Sequence, residues 1–152
     1  MSSADQKILD SLFRDIVKFY SSSQTSLITL GALIKAIHSL ECSEDMFQTQ
    51  IQEVCNTITN SQPRMFPIDN LIILLEHELE KNNFFKDKDI SIRKSATIEI
   101  IEDLITRLKY DMSELANQGL DHITDGDFIV LHAVEEPVEL LLPEAKKMGK
   151  EF

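Results

Sequence analysis

The sequence predicts a mainly α protein, an N-terminal helical bundle followed by the first strand and first helix of an α/β domain. Three observations carry this reading. Apolar residues recur at helical spacing along most of the chain. Apart from Gly31, the four glycines and four prolines fall late or at the breaks between those stretches, as punctuation between helices should. Near the end the pattern changes to a continuous apolar run, Phe128-Ile129-Val130-Leu131, of the kind expected for a strand buried on both faces.

The elements follow in order. From Ala4 to Tyr20 the residues Ile8, Leu9, Leu12, Phe13, Ile16 and Phe19 form one apolar stripe. Ser21–Ser23 is a polar break. A second helix carries Leu27, Leu30, Leu33, Ile34 and Ile37. Ser43 is a candidate N-cap for a third helix, because Glu44 and Asp45 follow it where the helix dipole favours negative charge. That helix shows Phe47, Ile51, Val54, Cys55 and Ile58 on one side. Asn60–Phe66 is a turn, and Pro67 suits the start of a fourth helix, where a missing N–H costs nothing. Its stripe is Ile68, Leu71, Ile72, Leu75 and Leu79.

Lys86–Asp89 is a charged connector. Beyond it, Ile92, Ala96, Ile100, Ile101, Leu104, Ile105, Leu108, Met112, Leu115, Ala116, Leu120 and Ile123 keep helical spacing. Gly119 weakens that helix by about 1 kcal/mol against alanine, and the helix is expected to run to about Ile123. Thr124-Asp125-Gly126-Asp127 is a turn leading into the strand. Pro137–Met148 reads as a helix interrupted or shifted by Pro143, since an interior proline costs roughly 3 kcal/mol or more. Lys150-Glu151-Phe152 reads as the approach to a further strand. These breaks divide the chain into a helical domain, 1–124, and the start of an α/β domain, 125–152.

Composition restricts the function classes. The chain has 152 residues, enough for one ordinary domain with a real core, and a hydrophobic share of 43%, too high for compositional disorder. Its formal net charge of -11 makes a phosphate backbone or an anionic membrane a poor partner. Cys42 and Cys55 are too few for a disulfide scaffold and both lie on apolar helical faces, which points to reduced thiols. The opening MSSADQK lacks the features of a signal peptide. No apolar run approaches the roughly 20 residues that span a bilayer. A cytoplasmic location is the expectation.

Candidate chemistry is sparse. Asp121–His132 has the length of a calcium-binding loop, with Asp at positions one and five and Gly at six. Positions three and twelve hold Ile123 and His132, poor ligands for a hard cation, so a strand-entry turn is the better reading. His38, His77, His122 and His132 form no local zinc pair, and the cysteines lack ligand spacing. His77 lies among Glu76, Glu78 and Glu80. Paired carboxylates such as Asp125/Asp127 and Glu135/Glu136 are read as solvated in so acidic a chain. No G-x-S-x-G, Walker or G-x-G-x-x-G pattern occurs. The reading is therefore a binding or regulatory protein with no catalytic residue, no cofactor and no metal. Five apolar stripes also exceed what one small bundle needs, and a leftover apolar face would mark a partner site.

From Ile98 to Leu131 the residues resemble a known family. The run IEIIEDLITRLKYDMSELANQGLDHITDGDFIVLHA is similar to the junction between the two domains of the regulatory subunits of eukaryotic translation initiation factor 2B. The matching residues are Leu115, Ala116, Gln118, Gly119, Leu120, His122 and Ile123, then Asp125-Gly126-Asp127, then Phe128–Leu131. VELLLPEAKKMGKEF resembles the helix that follows, and IQEVCNTITNSQPRMFPIDNLIILLEHELE an earlier helix–turn–helix. Ser61-Gln62-Pro63 and His122-Ile123 fit the beta-type subunits best, with the alpha type next.

The resemblance implies a helical domain followed by a truncated Rossmann-like α/β domain, most of which should follow where this chain stops. It implies membership of a guanine-nucleotide exchange complex in which the regulatory subunits hold no exchange chemistry. The implied partners are sister subunits of initiation factor 2B and the alpha subunit of initiation factor 2. The candidate interface is the strand-entry turn with its flank: His122, Thr124, Asp125, Gly126 and Asp127. Two other readings stay open: a fragment of a sugar-phosphate isomerase, which shares the architecture, and an unrelated helical adaptor or calcium sensor.

Overall fold

The computed structural model describes residues 3–81, 89–132 and 134–152 and contains six helices in chain order: α1 (Ser3–Ile16), α2 (Ser22–Ser39), α3 (Glu44–Thr59), α4 (Phe66–Lys81), α5 (Ile90–Leu120) and α6 (Glu136–Lys147). The chain forms two compact units, 1–105 and 106–152, and α5 contributes to both. The charged connector expected at Lys86–Asp89 lies outside the described residues except for Asp89. Among the described residues no helix is long and apolar enough to cross a membrane.

In the first unit α4 lies against α2 and α3. Leu30, Leu33 and Ile37 of α2, Phe47, Ile51 and Cys55 of α3, and Ile72 and Leu75 of α4 are buried, as are Ile98, Ile101 and Leu104 of α5. All but Ile98 belong to the expected stripes, and each side chain withdrawn from water contributes roughly 1.5–3 kcal/mol. α2 begins with a capping box. The Ser21 hydroxyl accepts the N–H of Gln24, and the Gln24 amide oxygen accepts the N–H of Ser21, both at 3.2 Å. Its buried face also carries Thr25, Ser26 and Thr29, whose hydroxyls donate to the carbonyls of Ser21, Ser22 and Thr25 at 2.8 Å. Each hydroxyl is thus satisfied within its own helix, so its burial leaves no orphan donor.

Ser43 occupies the N-cap position of α3, but its side chain makes no capping bond. The connector between α2 and α3 is held instead from α5. Arg93 donates through Nη1 to the Glu44 carbonyl at 2.8 Å, and the Lys94 ammonium donates to the Leu40 carbonyl. α1 stops at Ile16, and Val17–Tyr20 continue as turns bonded back to Phe13, Asp15 and Ile16. Phe19, assigned to the apolar stripe by spacing, is exposed. The turn before α4 contains a cis Gln62–Pro63 bond.

In the second unit the buried residues among those described are Met112, Ala116, Ile123 and Ala145. α5 ends at Leu120, and single turns carry the chain on to Ile123 through the His122 and Ile123 amides. Gly119 sits where Leu141 of α6 approaches: a Cβ there would lie 2.9 Å from Leu141 Cδ2.

Three expectations for this end of the chain are corrected. The strand at Phe128–Leu131, and with it the α/β half of the predicted fold class, is not formed. Among the described residues there is no strand, and Phe128 and Val130 are 93% and 77% exposed. The physical reason is that a strand is made by its neighbours, and among the described residues none pairs with this one. Lys150–Phe152 is likewise no strand; it folds back on the turn after α5. The third correction concerns Pro143. α6 neither breaks nor begins late but runs through it from Glu136. Pro143 is exposed, and so is Glu139, whose carbonyl would have accepted the N–H that proline lacks, so water can satisfy that acceptor.

Candidate functional site

Two places in the structure bear on function, the strand-entry turn singled out from the sequence and an apolar groove on the helical unit.

The turn is built as a clasp. Where α5 ends, its last carbonyls lack helical partners. The Lys150 ammonium reaches this end, donating to the Ile123 carbonyl at 2.8 Å and to the Leu120 carbonyl, which also accepts the Ile123 amide. A cation at a helix C-terminus also meets the negative end of the dipole. Lys150 reaches this position because α6 ends at Lys147. Gly149 then takes a φ of 83°, and the Lys150 amide bonds back to the Ala145 carbonyl.

The turn itself is tied at both ends. The Thr124 amide donates to Asp127 Oδ2 at 2.7 Å, and the Asp127 amide donates to the Thr124 carbonyl at 3.2 Å. The Gly126 amide donates to the Glu151 carbonyl at 2.6 Å, and the Glu151 amide donates to Asp125 Oδ1 at 2.9 Å. Gly126 has a φ of 91°, which a side chain would make costly. Asp125, Gly126 and Asp127 are therefore brought together, and their backbone and carboxylates are engaged within the chain. His122 and Thr124 are exposed at the same turn.

The same geometry bears on the calcium-loop spacing. Ile123, at the third position, is buried, while one oxygen each of Asp125 and Asp127 accepts from backbone amides. Among the described residues no group of three or more His, Cys, Asp or Glu side chains could hold a metal ion. His38, His77, His122 and His132 are all exposed. Cys42 and Cys55 are both free thiols, and burial, with a smaller contribution from Glu76, pushes the Cys55 thiol up to about 12.

The second place is a groove of about 470 Å³ among α1, α2 and α3. Ile8, Leu9, Leu12, Phe13 and Ile16 form one wall, Ile28, Ala32, Leu33 and Ala36 another, and Val54 and Ile58 the third. Thr29 and Thr57 also line it. Their hydroxyls donate to the Thr25 and Glu53 carbonyls of their own helices at 2.8 and 2.7 Å, so neither needs a ligand to satisfy it. Ile8 and Leu12 remain more than half exposed. Sequence reasoning expected an unspent apolar face without locating it; the α1 stripe, continuous in spacing with no second apolar face on that helix, was the signal. It gave no sign of Lys150, because one lysine in a polar tail looks like any other solvated charge.

No curated protein and no solved structure matches the chain. The model of the initiation factor 2 subunit family matches residues 18–152, which takes in α2 to α6 and the whole clasp. The chain belongs to the initiation factor 2 subunit family.

Proposed function

We propose that this chain is a regulatory, non-catalytic component of the initiation factor 2B guanine-nucleotide exchange complex, of the beta type, acting in the cytoplasm. It binds sister subunits and the alpha subunit of initiation factor 2 through exposed helix faces. The family includes both such regulatory subunits and related isomerases. The observation that carries the regulatory reading is the segment Leu115-Ala116-Asn117-Gln118-Gly119-Leu120-Asp121-His122-Ile123, which resembles the regulatory subunits and forms the end of α5 with its closing turns. In this reading residues 1–124 are the helical domain and 125–152 open the next one. His122 and Thr124, exposed beside the clasp, present the contact, while Asp125, Gly126 and Asp127 hold its shape. Apolar side chains left in solvent, such as Tyr110 and Leu115 on α5, are what subunit contacts use.

The test is co-purification with sister subunits and, separately, with the alpha subunit of initiation factor 2, using the wild-type chain and His122→Asp. The wild-type chain is expected to be retained and the variant weakened. A chain that is folded by circular dichroism yet binds none of them overturns the proposal. Turnover of a sugar phosphate by the chain would favour the isomerase branch instead.

A further inference from the structure

No further inference is drawn: the strongest candidate, the apolar groove among α1, α2 and α3 walled by Ile8, Leu12, Ile28, Ala32, Val54 and Ile58, carries none because nothing in the structure shows what covers it.

Discussion

The Lys150 ammonium lies 2.8 Å from the Ile123 carbonyl oxygen and caps the end of α5 from across 27 residues of chain. The same nitrogen donates to the Leu120 carbonyl, which also accepts the Ile123 amide at 3.3 Å, so one side chain ties together the carbonyls of the closing turn. Hydrogen bonds to charged groups are worth about 1.5–3 kcal/mol each when shielded and less when solvated. Lys150 is half-buried. Lys150→Met keeps the stem and removes the donor, and it is expected to lower stability by about 1–2 kcal/mol. The Gly126 and Glu151 amides should exchange faster in the variant, because their bonds depend on the tail lying against the turn. Unchanged exchange at both would show that the lysine is not what holds the clasp.

The glycines should respond to alanine in different directions. Gly126→Ala meets no steric obstacle, since nothing lies within 4 Å of a Cβ there, but its φ of 91° disfavours a side chain. A loss of about 1 kcal/mol is expected. Gly31 lies inside α2 with the same open space and no positive φ, so Gly31→Ala should gain about 0.5–1 kcal/mol. Gly119→Ala falls between them, because its helical gain is opposed by the 2.9 Å approach to the flexible tip of Leu141. Denaturant midpoints for the three variants check the order.

The two thiols should differ in reactivity. Cys55 is wholly buried, and with its thiol pushed up to about 12 it carries almost no thiolate at neutral pH. Cys42 is only half-buried. A disulfide reagent should therefore modify Cys42 in the folded protein and reach Cys55 only on unfolding. Equal labelling rates for both at pH 7 would contradict the burial of Cys55.

Helix existence was legible because it rests on local periodicity, and the structure buries much of the stripes of α2 to α5, although Ile92 and Leu115 of the α5 stripe are exposed. What sequence reasoning missed depends on distance. Thr25, Ser26 and Thr29 look like a solvated face, yet they are buried because each hydroxyl bonds a carbonyl one turn back. Arg93 and Lys94 read as surface charge, but they tie down the α2–α3 connector some 50 residues away. Phe128–Leu131 failed in the opposite way. Its composition suits a strand, but a strand needs a neighbour, and that requirement is not written in the segment itself. For the candidate site, the turn at Thr124–Asp127 was readable from Asp-Gly-Asp, whereas its bond to Glu151 was not.

Asp89 makes the start of α5 sensitive to acid. Bonds from the Ser91 hydroxyl and then the Ser91 amide, the latter at 2.7 Å, hold its carboxyl below the ordinary value of 3.8. A carboxyl depressed on folding stabilises the folded state above its unfolded pKa, and that contribution is lost as pH falls through the folded pKa. The effect should therefore be full at pH 5 and decline below about pH 4, as pH falls through the depressed folded pKa. Following the Ser91 amide resonance from pH 6 to 2 should show a transition below pH 4 that is absent in Asp89→Asn. Asp15 titrates low as well, through its bond and attraction to Lys18, but that pair sits on α1 and leaves the Ser91 signal alone.

Phe128–Leu131 offers the sharpest dynamic contrast in the chain. These residues make no backbone hydrogen bond to another described residue, and Phe128, Val130 and Leu131 are exposed. Amide protection requires a bonded or buried N–H, so the four amides should exchange at close to the free-peptide rate. Nearby, the Gly126 amide is bonded to Glu151 and should be slower, and those of Met112 and Ala116 inside α5 slower still. The contrast separates two meanings of an apolar run. If the segment stays extended and free in solution, adding a partner that supplies a neighbouring strand should protect alternate amides, because strand backbone groups pair on alternate residues. Strong protection of all four in the isolated monomer would instead mean that the segment folds onto a surface of its own, and the exposed arrangement would be wrong.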